Sequence, residues 1–273
     1  MIIIGYLSAV LIGLFLGLLG GGGSIMTVPI FVYLIGFSPK TSIALSLAVV
    51  GAVSLVGVFK HWKLGHVNFK IVALFSPFAM SGTFLGARLS QKVSGSFQLI
   101  LFATVMLIAA IFMLRKSKKT TETKEVKQKT NYSAKDISLI ALEGIAVGIL
   151  TGLVGVGGGF LIVPALVLLT KLPMKEAIGS SLLIISLKSF AGFYGYLDQV
   201  TVDWGFLMLF IGIASVGIII GTYLINFISQ EQLKKSFAVF LIIMGVFILY
   251  KNRNKLLSVK NAQTYLLQKQ SHA

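Results

Sequence analysis

The sequence predicts an all-α polytopic membrane protein of two tandem repeats, with about eight membrane-crossing helices and two short re-entrant or broken segments. Three observations predict it. Of the 273 residues, 56% are hydrophobic and 12% charged, and the mean hydropathy is +0.93. A soluble domain carries about twice that share of charge. Apolar runs near the ~20 residues that span a bilayer recur along the chain. The chain also matches itself, without gaps, at an offset of 135 positions.

The same composition excludes a soluble enzyme, a disordered chain and a nucleic-acid-binding domain. The net charge of +16, from 24 Lys and Arg against 8 Asp and Glu, has a topological reading. Basic residues cluster between and after apolar segments, where they hold loops on the cytoplasmic side. Cysteine is absent, which excludes disulfides, thiol catalysis and cysteine metal sites. Three histidines, His61, His66 and His272, are a poor basis for a metal site, and no cofactor is expected.

The first apolar span, Ile2–Leu19, lacks a basic leader and a small-residue cleavage site, so it reads as a retained membrane helix. A short apolar piece, Ile25–Gly36, follows a glycine run. Ile43–Phe59, Phe69–Ala87 and Phe97–Leu114 complete the first repeat, residues 1–114. A polar linker, 115–136, holds eight basic residues and three acids. The second repeat, 137–250, contains Ile137–Val154, a short Phe160–Thr170, Ala177–Leu197, Trp204–Phe227 and Phe237–Tyr250. A tail, 251–273, has five basic residues and no acid. Trp62 and Trp204 fit interface anchors, and His61 and His66 are expected at the interface beside a basic loop.

The offset superposes chemistry as well as hydrophobicity. Gly17 falls on Gly152, Pro29 on Pro164, Lys40 on Lys175, Ser46 on Ser181 and Ser54 on Ser189. Gly57, Gly82 and Gly86 fall on Gly192, Gly217 and Gly221. Transporters are commonly built from such repeats, with substrate bound between them. The short second segment of each repeat covers about 18 Å as a helix, too little for a ~30 Å core. Four crossings per repeat, eight in all, would place linker and tail together in the cytoplasm. Counting the short segments gives ten crossings and inverted repeats. The basic loop His61–Lys70, against its acidic counterpart Tyr196–Gly205, favours that alternative, whereas the basic tail, which it would place outside, opposes it.

The two glycine runs are the clearest candidate site. Gly20, Gly22, Gly23 and Ser24 precede one short segment, and Gly155, Gly157, Gly158 and Gly159 precede the other. Irregular backbone inside a membrane is tolerated where it is buried in protein or faces a watery cavity. Exposed N–H groups and the start of a half-helix there favour an anion. The competing explanation is close helix packing through small residues. Neither run is a nucleotide motif, because both lack the Gly-Lys-Ser/Thr and the third fingerprint glycine.

Lys188 falls near the middle of a span, where a charge costs at least about 2.5–3.5 kcal/mol. It either attracts an anionic substrate or forms a structural pair with Glu143. Ser46, Ser180 and Ser181, with Ser54, Ser186 and Ser189 nearby, could donate to an oxyanion or simply bond their own helix.

The tandem sequences Gly17-Leu-Leu-Gly-Gly-Gly-Gly-Ser-Ile-Met-Thr-Val-Pro29 and Gly152-Leu-Val-Gly-Val-Gly-Gly-Gly-Phe-Leu-Ile-Val-Pro164 resemble the sulfite exporter TauE/SafE family of membrane transporters. Ala177-Ile-Gly-Ser-Ser-Leu-Leu183 is similar to its pattern A-x-G-T-S-L, with Ser180 in place of Thr. The resemblance implies transport of small sulfur-containing anions such as sulfite, sulfoacetate or other organosulfonates. The expectation is a secondary exporter in a bacterial-type cell membrane, not an enzyme. An anion channel, or a carrier of another small organic anion, is the alternative. The partners expected are a small anionic substrate, the lipid bilayer and, in a homodimer, a second copy; no nucleic acid is expected.

Overall fold

A computed structural model of the chain describes residues 2–19, 23–114, 134–155, 162–163, 166, 172–224 and 230–252. Within them the elements are α1 (Ile2–Leu19), α2 (Ser24–Pro29) running into a π-helical turn (Ile30–Ile35), α3 (Pro39–Lys63), α4 (Phe69–Leu89) and α5 (Gly95–Leu114). They continue as α6 (Ala134–Val154), α7 (Met174–Tyr196), α8 (Trp204–Leu224) and α9 (Gln230–Lys251). α6 begins inside the span expected for the linker. The remaining linker residues, most of the second short segment, and Gly20, Gly22, Gly157, Gly158 and Gly159 lie outside the described residues. Among the described residues, five stretches are long and apolar enough to cross a membrane: Pro39–Lys63, Phe69–Lys92, Ile137–Val154, Glu176–Gln199 and Trp204–Leu224.

Local sequence sets these boundaries. Pro29 carries no N–H to continue the α-helical ladder, and the chain opens into a π-helical turn immediately after it. Gly36, at φ +91°, ends that turn in the left-handed region that glycine adopts without cost, and its N–H bonds Phe31 O. Ser38 then caps α3, accepting from Thr41 N at 3.2 Å, with Pro39 at the first helical position. Asn68 caps α4 by accepting from Ile71 N, and its repeat counterpart Asp203 does the same for Phe206 N at the start of α8.

The repeats interlock through glycine. A Cβ at Gly13 or Gly17 of α1 would overlap the backbone of α8 at Ala214, Ile218 and Thr222. A Cβ at Gly217 or Gly221 would overlap α1 at Val10 and Leu14. The counterparts reproduce this contact: Gly148 and Gly152 of α6 abut Ala79 and Thr83 of α4, and Gly82 and Gly86 abut Ile145 and Ile149. Backbone approach of this kind lets dispersion and packing hold helices together in lipid, where no hydrophobic force separates them from solvent. Each repeat therefore buries its first helix against the other repeat's long fourth element.

Contact order along these helices fixes their directions. α1 and α8 run parallel, as do α4 and α6. α3 runs with α8, since Gly57 meets Ile218 and Lys60 lies over Tyr223. α7 runs with α4, since Gly192 meets Thr83, Gly195 meets Ala87, and Arg88 pairs with Asp198. α3 and α7 are antiparallel: His61 meets Gly179, Gly57 meets Leu182, Gly51 meets Ser189, and Leu47 meets Gly192. So α1, α3 and α8 point one way, and α4, α6 and α7 the other. Between α1 and α3, the short segment runs back: Gly23 lies against Ile12 and Leu16, and Ile35 lies against Gly5. An aromatic cluster of Phe31, Phe37, Phe206 and Phe210 holds its lower end against α8.

Candidate functional site

The second break begins at Gly155, whose φ of +73° ends α6. A Cβ there would overlap Ile43 of α3, so both conformation and space require glycine. Ending a helix inside the membrane leaves backbone carbonyls to satisfy. Tyr196, fully buried at the end of α7, turns its hydroxyl to them: Gly152 O is 3.1 Å away and Leu153 O 3.3 Å. Gln98 Nε2 donates to the same hydroxyl at 3.3 Å. Of the glycines expected in the site, Gly23 is the other described one. It is buried, precedes α2, and approaches the backbone of α1 closely enough to exclude any side chain.

Lys188 is fully buried, and its Nζ donates to Thr151 Oγ1 at 2.7 Å. Thr151 spends its own proton on Gly148 O, leaving its lone pairs for the lysine. Glu143, the rival partner, makes no ion pair with it: Glu143 Oε2 is buried without a hydrogen-bond partner. The pairing fails because Glu143 sits two turns before Thr151, the residue that Lys188 does bond, along α6. An ammonium group has three donors, and here one is met. Burying such a charge costs several kcal/mol unless an opposite charge compensates it.

The expected serines separate into two groups. Ser181 donates to Ile178 O of its own helix, and Ser180 accepts from Asn68 N at 2.8 Å. Ser186 donates to Gly51 O across the α3–α7 contact. Ser46, Ser54 and Ser189 are fully buried with hydroxyls that have no partner. Ser24 is buried at the start of α2.

A cavity of about 440 Å³ opens between the start of α3 and the α7–α8 connection, lined by Phe37, Thr41, Leu45, Thr201, Val202 and Asp203. The counterparts of Leu45 and Asp203 are Ser180 and Asn68, and these are joined by the hydrogen bond just described. Gly179 also packs against the backbone of His66 there. The two ends of the α3–α7 pair are thus alike in sequence register and unlike in closure.

Sequence reading missed Thr151, Tyr196 and Gln98. Thr151 had a signal, being a hydroxyl within one turn of the glycine run. His61, expected at the interface, is 4% exposed, because α3 continues to Lys63 and Gly179 lets α7 pack against the His61 Cβ. Trp62 and Trp204 are exposed near helix ends.

Apolar helices joined through glycine, one of them ending at a left-handed glycine, and a buried lysine held one turn before that end fit a multi-pass membrane transporter. The chain belongs to the sulfite exporter TauE/SafE family, whose profile matches residues 6–248. It is 34% identical over 251 residues to a probable membrane transporter protein of Xylella fastidiosa, covering 90% of this chain and 94% of that one. A probable membrane transporter protein of Bacillus subtilis is 27% identical over 240 residues, covering 88% and 97%. One from Methanocaldococcus jannaschii is 28% identical over 272 residues, covering 91% and 94%. No solved structure matches the chain. The protein is thus a transporter of the cell membrane.

Proposed function

We propose that this transporter exports small sulfur-containing anions, such as sulfite, sulfoacetate or other organosulfonates, and is not an enzyme. The observation that carries the reading is Lys188, buried without a carboxylate partner and with two donors unmet beside the second helix break. A bound oxyanion supplies the compensating charge that the protein itself withholds. The unpartnered hydroxyls of Ser54 and Ser189, repeat counterparts near the α3–α7 contact, offer neutral donors at similar depth. An inside-negative potential favours export of a monoanion by about 2.3 kcal/mol per 100 mV.

The helix directions support ten crossings in inverted repeats rather than eight. In that arrangement the basic loop containing Lys60, Lys63, His66 and Lys70 shares one side with the basic linker. That side is the cytoplasm by the excess of Lys and Arg. The open cavity near Asp203 then faces outward, and the closed Asn68–Ser180 end faces inward. Inverted repeats exchange such closures to give alternating access.

The test is flux from proteoliposomes loaded with sulfite, sulfate, organosulfonates and carboxylates. Saturable flux of a sulfur oxyanion in the wild type, and its loss in a folded Lys188→Met protein, is expected. Equal flux in the two proteins removes Lys188 from the site, and flux limited to carboxylates rejects the substrate class.

A further inference from the structure

His61 and Tyr196 are repeat counterparts, 135 positions apart at the ends of α3 and α7. Both are buried. Their surroundings differ in one respect. The Tyr196 hydroxyl is fully used, by Gly152 O, Leu153 O and Gln98 Nε2. The His61 ring has no partner on either Nδ1 or Nε2. The counterpart of Gln98 is Leu233, which has no polar group to offer. A neutral imidazole carries one N–H and one acceptor nitrogen, and a buried pair of this kind is normally satisfied.

Resting on the anion reading above, we propose that His61 is the donor of a second oxyanion site, at the first-repeat end of the pathway. The charge around the ring selects the ligand's sign. The ionisable groups that act on it are His66, with ring centroids 6.1 Å apart, and Lys60, both of them basic. A metal ion is a poor fit, because the described residues contain no group of three His, Asp or Glu side chains that could hold one. The register places His61 opposite Gly179, one residue from Ser180, so the ring stands behind the Asn68–Ser180 closure. An anion arriving from that side meets His61 first and Lys188 afterwards. The two residues then divide the work, His61 receiving the anion and Lys188 holding it beside the second break.

The experiment uses the full chain in nanodiscs, with sulfite as the probe, and compares wild type, His61→Leu, His61→Gln and Lys188→Met. Thermal unfolding is measured with and without sulfite, and efflux kinetics are measured in liposomes. His61→Leu should unfold at or above the wild-type temperature, because it removes unpaired polar atoms without removing any bond. Its sulfite-dependent stabilisation should shrink and its KM for efflux should rise about tenfold, the effect of one lost hydrogen bond to a charged group. His61→Gln, which keeps an N–H, should recover part of the loss. Wild-type sulfite response and KM in His61→Leu overturn the proposal and leave the Lys188 site standing. Failure of His61→Leu to fold also overturns it, by making the ring structural. Absence of any response to sulfite in the wild type, with no flux of other sulfur oxyanions, overturns both sites together.

Discussion

Ser186 on α7 donates to the carbonyl oxygen of Gly51 on α3 at 2.8 Å, and the two residues occupy the same position in their repeats. The bond crosses the antiparallel α3–α7 contact and ties the two halves together at one equivalent position. Ser186→Ala should cost about 1 kcal/mol, the usual net value of such a bond. Thermal unfolding in detergent reads this as a small drop in midpoint, with transport kinetics close to wild type.

The glycine contacts between repeats should be far less forgiving. Gly221→Val and Gly86→Val place side chains into the backbone of α1 and α6, respectively. Each should destabilise by at least the ~1–3 kcal/mol of an overpacked core, and the two should behave alike because their environments correspond. Gly212→Ala is the control, since a Cβ there meets nothing within 4 Å. Comparable yields and midpoints for all three proteins would contradict the packing described.

Thr151 holds Lys188 through an oxygen lone pair. Thr151→Val keeps the volume and removes the acceptor, so the ammonium loses its one protein partner. The variant should fold with a loss of about 1–3 kcal/mol and transport poorly, while Thr151→Ser should retain most of the activity. Initial rates in liposomes across a range of substrate concentrations distinguish the pair.

Tyr196→Phe removes the proton that satisfies Gly152 and Leu153 at the helix break. The expected cost is about 1–3 kcal/mol, from carbonyls left unpaired in a dry environment. Hydrogen exchange of the amides in the last turn of α6 should quicken in the variant, while that of α1 stays unchanged.

Because the chain has no cysteine, single substitutions report sidedness directly. Thr123→Cys and Gly65→Cys should react with an impermeant thiol reagent from the cytoplasmic side, and Thr201→Cys from the outside. Labelling of all three from one side would reject the inverted arrangement.

Element positions were legible because hydrophobic length marks a span whatever it packs against. Ile2–Leu19 agrees in both bounds, and the first short segment agrees to one residue at each end. The repeat was legible because Gly, Pro and Ser cannot be exchanged freely where backbones touch. What remained hidden was relative direction. The equivalence of Gly57 with Gly192 does not say whether their helices run together or opposed; that depends on partners such as Leu182 and Leu47, far away in sequence. Lys188 stood out because its charge is costly anywhere in a span. Its partner Thr151 did not, since an isolated hydroxyl in an apolar helix is cheap to bury when it bonds its own backbone.

The exchange of glycine faces between repeats governs how the chain can be made. When the first half emerges during synthesis, the Gly13–Gly17 face of α1 waits for residues 214–222, while α4 presents Gly82 and Gly86 to a helix not yet translated. Neither half covers these glycine faces from within its own sequence. Two separately encoded halves, cut within the linker, would nonetheless possess everything needed to find each other.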